Sequence, residues 1–274
     1  MPELPEVETV GRDLQNLVVG KRVVEARVID GRLRYAVPKS LPKILAGKVI
    51  KKIRRRGRYL IWEVTGGFLI IHLGMSGVLT VSQEARPLQK HDKLILVLAD
   101  KSTVSYNDVR GFGLISWTTE DPEQYYLLKK LGPEPFDQRF SASYLSKMAV
   151  KRSCSVKQFI MDNQVVTGVG NIYAAEILFA AKIFPLAKTN KISSAIWSKL
   201  VTATKKILKS AIKYRGTTIS DYADGFGNSG KFQSRLKVYG RAGLACVTCQ
   251  TKLETIKVAQ RATVFCSKCQ CLGK

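Results

Sequence analysis

The chain has 274 residues, 45% of them hydrophobic, and carries 45 Lys and Arg against 21 Asp and Glu, a formal charge of +24. That length allows two domains with separate cores and the apolar content excludes a disordered chain; no run approaches the ~18 apolar residues of a membrane span and no secretion signal is visible, so an intracellular protein is expected. So large a positive excess predicts a polyanionic partner, with nucleic acid favoured over an anionic membrane because no long basic amphipathic helix stands out.

The chain opens MPELPEVETV, and Val7, Val10, Leu14 and Leu17 then recur at helical spacing, which predicts a helix over 6–18. Pro5 suits its first turn, where a missing N–H costs nothing. From about 22 to 118 the pattern changes to short β-type runs: RVVEARVI (22–29), YLIWEV (59–64), FLIIHL (68–73), VLTV (78–81), KLILVL (93–98) and TVSY (103–106). Many short strands with frequent turns predict a two-sheet sandwich or barrel. Lys51, Lys52, Arg54, Arg55, Arg56 and Arg58 form the densest basic run, to be read either as a solvated face or as part of a polyanion site. After Asp121-Pro122 the helical period returns, over 122–131, 141–149, 156–163, 171–182 and roughly 194–214, the last capped by Ser193 or Ser194 and stopped by Gly216. The stretch 216–235 is rich in Gly, Ser, Thr and Asp and is expected to be a mobile loop.

Five of the six cysteines crowd the last 29 residues, which in a reducing compartment points to metal rather than disulfides. Cys246 and Cys249, sixteen intervening residues, then Cys266 and Cys269 supply four thiolates on two knuckles, the tetrahedral set of one closed structural Zn2+. Cys271 falls outside that spacing and is spare. Residues 257–263, between the knuckles, read as a hairpin tip carrying Arg261. A ribbon this small has little core, so the metal supplies its folding energy.

Thr167-Gly-Val-Gly-Asn171 places two glycines and an N-cap Asn before a helix, whose free N–H groups can hold a phosphate. Lys151, Arg152 and Lys157 just upstream strengthen it as a DNA-backbone site. The glycine-flanked loops 72–77 and 108–113 offer Met75, Arg110 and Phe112; exposed apolar side chains beside Arg can wedge into a base stack. With only two histidines, of which His91 lies between Lys90 and Asp92, and no nucleophilic Ser, triad chemistry is disfavoured. The lone Cys154 reads as a small core residue.

The amino terminus offers different chemistry. Met before Pro is readily trimmed, which leaves Pro2 as a terminal secondary amine. An α-amino group has a pKa of about 7.7–8, so it is partly neutral and nucleophilic near pH 7. Attack on a sugar C1′ gives an iminium that cannot relax to a neutral imine, an electron sink that favours expulsion of the base and then of the 3′ phosphate. Glu3 is placed to move protons, and Glu6, one turn on, to orient the amine or stabilise the cation.

Taken together, MPELPEVETV, HLGMSG (72–77), the Arg110–Phe112 loop, GVGNIYAAE (168–176), VYGR (238–241) and the paired cysteines resemble the bacterial formamidopyrimidine-DNA glycosylases, in the same order from end to end. The related endonuclease VIII branch also begins Pro-Glu, but Leu4-Pro5-Glu6-Val7-Glu8-Thr9 looks like the purine-lesion branch. The resemblance implies an α+β protein: an N-terminal helix plus β-sandwich catalytic domain (1–120), a helix-two-turns-helix DNA-binding domain (121–236) and a zinc-ribbon finger (237–274), with DNA in the cleft between domains. It implies a bacterial, cytoplasmic, nucleoid-associated monomer that acts on double-stranded DNA containing damaged bases and no membrane. Its reaction would be removal of 8-oxoguanine and formamidopyrimidines, then strand cleavage by β- and δ-elimination. By position Pro2 would be the Schiff-base nucleophile and Glu3 the acid. Met75, Arg110 and Phe112 would fill the space left by the flipped nucleotide. His91, Arg110, Arg152, Lys157 and Asn171 would grip DNA, Arg261 would hold a phosphate and assist the second elimination, and the 216–235 loop would close over the base.

Two departures stand out. Where the family typically has Gly-Lys-Tyr/Phe-Leu, this chain has Gly57-Arg58-Tyr59-Leu60. Arg keeps the charge but is a poor proton donor, so at Arg58 an electrostatic role should survive and an acid role weaken. The loop Asp-Val-Arg-Gly-Phe-Gly replaces the commoner Asp-Pro-Arg-Arg-Phe-Gly, losing one cation. The competing readings are a sister-branch glycosylase for oxidised pyrimidines and a non-enzymatic zinc-ribbon DNA-binding protein; only the enzymes need a free Pro.

Overall fold

The structure is a computed structural model that describes residues 1–84, 86–219 and 222–270. The chain divides into two compact units, 1–129 with 212–233, and 130–211 with 234 onward.

The first unit is built on helix α1 (Leu4–Val18) and two four-stranded antiparallel sheets. One sheet has the order β1 (Val23–Val28), β6 (Asp92–Leu98), β7 (Thr103–Asp108), β5 (Gly77–Ser82); the other runs β2 (Ile50–Arg56), β3 (Tyr59–Val64), β4 (Gly67–His72), β8 (Leu114–Thr118). A short helix α2 (Leu41–Leu45) follows β1. Val7, Val10, Leu14 and Val18, on one stripe of α1, join Trp62, Leu69, Leu96 and Tyr106 of the sheets in a single hydrophobic cluster. The sandwich therefore buries its inner faces and the helix in one core, and the amino terminus is held wherever α1 is held.

The six strands read from sequence are present, each within two residues of its expected bounds. Two others, β2 and β8, were not legible. In β2 (IKKIRRR) only Ile50 and Ile53 are buried, and five cations hide the alternation; the basic run is thus a strand paired to β3 rather than a loose solvated segment. The helix expected over 122–131 is a single 3-10 turn, Pro122–Gln124, capped by Asp121. Of Tyr125, Tyr126, Leu127 and Leu128 only Leu128 is buried, so no apolar stripe exists for a helix to pack.

The second unit contains α3 (Ala142–Ala149), α4 (Val156–Ile160), α5 (Asn171–Ala180), most of α6 (Ser194–Lys213) and the hairpin β9 (Glu254–Val258)–β10 (Arg261–Phe265). Ala259 and Gln260 turn the hairpin with φ of 45° and 63°. α5 is buried all round, from Ile172 to Phe179, and packs Ala175 and Phe179 against Val238, Cys246, Leu253, Val264 and Cys266. Glu176, itself buried, accepts the backbone N–H groups of Lys237, Val238 and Tyr239 at 2.9–3.1 Å, which ties the start of the cysteine segment to the middle of the helix.

Candidate active site

In the first unit, Glu3 and Glu6 are 2% and 1% exposed and close a reciprocal capping box at the start of α1, with the Glu3 N–H donating to Glu6 Oε2 at 2.8 Å. Glu6 Oε1 accepts from the Thr217 N–H at 2.8 Å. Glu6 therefore holds the Glu3 backbone, next to Pro2, with one carboxylate oxygen and the Thr217 backbone with the other. Gly216 stands beside it with φ +78°, where a Cβ would come within 2.8 Å of Glu6 Oε1, so this stop signal is also a close approach.

The segment after α6 is tied down at several points. Asp13 and Asp224 both accept from Arg215 at 2.6 Å, and the Gly225 N–H donates to Asp13 at 3.0 Å. Asp224 also accepts from the Phe226 and Asn228 N–H groups, and the Val81 N–H donates to Gly225 O. The stretch expected to be a loose loop over 216–235 is thus anchored to α1 and β5 and ends in the 3-10 turn Phe232–Arg235; Ser220 and Asp221 of that stretch, and Cys271, lie outside the described residues.

Arg58 occupies the β2–β3 turn, is 8% exposed and places Nη1 3.6 Å from Met1 Sδ. The replacement for the family's usual Lys is therefore at the chain end where the nucleophile is expected. Close by, His72 packs its ring on Tyr59 (centroids 4.7 Å) and accepts the Gly74 N–H on Nδ1 at 3.0 Å. Burial, then the charges of Arg58 and Arg34, pushes His72 down to about 4. Sequence reading gave this histidine no role, because only the fold puts two guanidinium groups near it.

The sign follows directly. Between about 4 and the unfolded value near 6.5 the unfolded chain binds the extra proton, so this contribution to stability is complete above 6.5 and lost on acidification toward 4. It amounts to at most about 3 kcal/mol. Urea midpoints at pH 7 and pH 5 should show the loss, and His72→Gln, which keeps an acceptor for Gly74 without titrating, should remove His72's share of it. An identical pH response in the two proteins would refute the assignment.

The two glycine-flanked loops are joined by one buried carboxylate. Asp108, 0% exposed, accepts from Ser76 Oγ (2.7 Å) and the Arg110 N–H (3.2 Å) on one oxygen, and from the Gly113 N–H (2.8 Å) and Tyr106 Oη (3.3 Å) on the other. Gly113 must lack a side chain, since a Cβ would lie 1.8 Å from Tyr106 Oη. Met75 and Phe112 are left exposed at 36% and 48%, with the Arg110 guanidinium 5.0 Å from the Phe112 ring centroid. The glycine-flanked loops thus leave both apolar side chains in solvent. His91 is partly exposed on a left-handed backbone (φ 73°), and its carbonyl accepts from the Asp108 N–H.

In the second unit Lys157 is 1% exposed, its Nζ donating to Asn171 Oδ1 at 2.6 Å and Thr263 Oγ1 at 2.7 Å. Asn171 Nδ2 donates in turn to Ala262 O at 3.4 Å. Asn171 is the first residue of α5 and Gly170 its N-cap, so the expected cap role is corrected: the Asn side chain faces Lys157 and the finger hairpin instead. Arg152 pairs with Asp162 at 3.0 Å and lies 5.5 Å from the Phe159 ring centroid. Arg152 and Arg261 both line a cavity of about 370 Å³ with Gln158, Phe159 and Val258, which brings two predicted phosphate-binding cations to one opening.

The four cysteines Cys246, Cys249, Cys266 and Cys269 place all their Sγ atoms within 4.8 Å of one another, with Cys249–Cys266 at 3.4 Å and Cys246–Cys269 at 3.9 Å. Tetrahedral thiolates about 2.3 Å from one ion stand about 3.8 Å apart, so the donor set fits a closed zinc site with no open position for substrate.

Comparison with known proteins agrees with this arrangement. Residues 1–115 match the formamidopyrimidine-DNA glycosylase N-terminal domain, 131–223 the formamidopyrimidine-DNA glycosylase H2TH domain, and 243–270 the zinc finger found in FPG and IleRS. The formamidopyrimidine-DNA glycosylase of Methylococcus capsulatus is 43% identical over 98% of this chain and 100% of its own length; that of Legionella pneumophila strain Paris is 45% identical over 98% of each. Among solved structures, a Lactococcus lactis FPG mutant complexed with Fapy-dG containing DNA is similar with a TM-score of 0.91 and 37% identity, covering 98% of this chain and 99% of that one. The wild-type Lactococcus lactis enzyme complexed with oxidized pyrimidine containing DNA gives 0.90 and 36% over the same shares.

Proposed function

The chain belongs to the formamidopyrimidine-DNA glycosylase family, and from that premise we propose how its own residues carry the reaction. It is a DNA glycosylase of base excision repair with the lyase activity general to its family, acting on DNA that contains damaged bases and carrying one structural zinc. Among the described residues no helix is long and apolar enough to cross a membrane. A DNA substrate and a thiolate zinc site favour a cytoplasmic, nucleoid-associated monomer.

Once Met1 is removed, the Pro2 nitrogen attacks C1′ of the damaged nucleotide. The C1′–base bond breaks and the base leaves with a proton; opening of the sugar ring yields the iminium. Loss of a C2′ proton then expels the 3′ phosphate, and a second elimination expels the 5′ phosphate. Glu3, buried beside Pro2, moves the protons of ring opening and departure. Glu6 keeps Glu3's backbone, and so the amine, in place through its two hydrogen bonds. Met75, Arg110 and Phe112 occupy the gap left by the extruded nucleotide. His91, Arg152, Lys157, Asn171 and Arg261 bind the backbone, Lys157 through the Asn171–Thr263 network in which it is held.

The observation that carries this reading is the reciprocal Glu3–Glu6 box, which fixes the chain end instead of leaving it frayed. The preferred substrates are 8-oxoguanine and formamidopyrimidines, supported by the purine-branch start LPEVET. Oxidised pyrimidines are a second reading, because a similar structure holds DNA with such a lesion. Borohydride trapping across a panel of lesion duplexes tests both. Strong covalent capture on 8-oxoguanine and weak capture on oxidised pyrimidines is expected; the reverse order would overturn the purine assignment, and no capture on any lesion would overturn the mechanism.

Arg58 keeps positive charge at the chain end without donating a proton. Arg58→Lys is accordingly expected to raise the β-elimination rate by about tenfold, below the roughly 10²–10⁴ of a full general acid because only part of that role rests on this position, with base excision nearly unchanged. Single-turnover rates for the two steps check it, and equal elimination rates in both proteins would refute it.

A further inference from the structure

α5 runs about 15 Å from Asn171 to Ala180, and its two ends meet different surroundings. The N-terminus meets Lys157 and the finger hairpin. The C-terminus opens on a groove of about 690 Å³ between the helix end and α6. Ala181, Ala203 and Ile207 give the groove an apolar floor, and the exposed Lys182, Lys199, Lys206 and Lys237 stand around it. Among the described residues no acidic one lines it.

Lys237 has the buried Glu176 carboxylate near it, but the other three cations have no such neighbour among the described residues. α6 has five lysines in twenty residues and no Asp or Glu, so none of the usual i,i+4 acid–base pairs can form along it. Lys199 and Lys206 are seven residues apart and Thr202 lies between them, which sets all three on the groove face. Lys182 follows α5 with φ 59°, a left-handed turn that ends the helix and leaves its side chain exposed. Lys182, Lys199 and Lys206 make no ion pair among the described residues. A duplex backbone would satisfy the charge but has nothing apolar to lay on the floor. A segment combining carboxylates with apolar side chains satisfies both.

We propose that the groove between the C-terminal end of α5 and α6 docks an acidic, partly apolar peptide segment of another protein. The site is at the other end of α5 from the Lys157–Asn171 network, so a partner held there does not cover that end of the helix. Such a surface would let a protein already on damaged DNA deliver the glycosylase to it.

The test uses full-length zinc-loaded protein and a short fluorescein-labelled synthetic peptide in which glutamates alternate with leucines. Anisotropy should show saturable binding that weakens with salt. The combined variant Lys182→Glu, Lys199→Glu, Lys206→Glu should lose at least about tenfold in peptide affinity and keep its affinity for a duplex bearing an abasic-site analogue within about twofold. Thr202→Trp, which fills the groove without changing charge, should also block the peptide, so the result does not depend on how the triple variant folds. The proposal is overturned if the wild type does not bind the peptide or if both variants still bind it. It is overturned equally if duplex affinity falls in parallel, which would make the groove DNA surface, or if an all-glutamate peptide binds as well.

Discussion

Replacing Pro2 with glycine is expected to remove most of the borohydride-trapped complex on an 8-oxoguanine duplex and to lower base excision by at least about 10²-fold, short of the roughly 10⁶-fold that outright loss of a covalent nucleophile costs. The replacement keeps a terminal amine, so proximity is preserved and only its nature changes. A primary amine gives an iminium that can lose its N–H proton, and the neutral imine is a far weaker electron sink. Glu3 and Glu6 should be unaffected, since their box is made by the Glu3 N–H and the carboxylates and not by the proline ring. Fold is checked by an unchanged unfolding midpoint. A companion measurement is the mass of the active material: wild-type protein that still carries Met1 and traps DNA at full rate would show that another nucleophile acts. The expected mass lacks Met1, because the free nitrogen of Pro2 exists only after that residue is gone.

Removing zinc is expected to have the second-largest effect. The hairpin β9–β10 has two strands, and a two-stranded hairpin is marginal alone in water. Its core is Leu253 and Val264 with two of the cysteine ligands, packed on Ala175, Phe179 and Val238. Structural zinc contributes about 10–16 kcal/mol in small fingers, comparable to the whole stability of a domain. Without it the segment from Cys246 to Cys269 should become protease-sensitive. Lys157 and Asn171 would then lose Thr263 and the Ala262 carbonyl as partners, which releases the side chains proposed to bind the DNA backbone. Affinity for an abasic-site analogue duplex should fall by about 100-fold in chelated protein or in Cys266→Ser, and recover for the chelated sample when zinc is returned. Metal-free protein, verified by elemental analysis, that bound the duplex undiminished would contradict this.

Much of the arrangement was legible in the residues. The helical spacing of Val7, Val10 and Leu14 located α1, and the glycines around Met75 and Phe112 announced loops that leave these two side chains in solvent. The cysteine spacing located the finger. Where reading failed, a local signal was masked. β2 was hidden because its cations lie on both sides of two buried isoleucines, and a strand is recognised by alternation. The 122–131 helix was expected from a return of the helical period after Asp121-Pro122, but of residues 125–128 only Leu128 is buried, and a period without a buried face does not make a helix. Asn171 was placed at a cap by its position after glycine, yet Gly170 takes that place and the amide is drawn to Lys157.

The sequence by itself determined the class of chemistry: a chain end suited to iminium formation, a cationic surface for a polyanion, four thiolates for one zinc, and the order of domains. Those properties depend on residue types and short spacings, which the chain carries unfolded. Only the tertiary structure decided which groups act on one another across long separations. Glu6 meets Thr217, Asp13 meets Arg215, Asp108 joins loops 32 residues apart in the chain, and Lys157 meets Thr263 across 106 residues. Each is a buried charge, and a buried charge must find partners wherever packing brings them. The charge reveals that a partner is required, and the fold alone selects it.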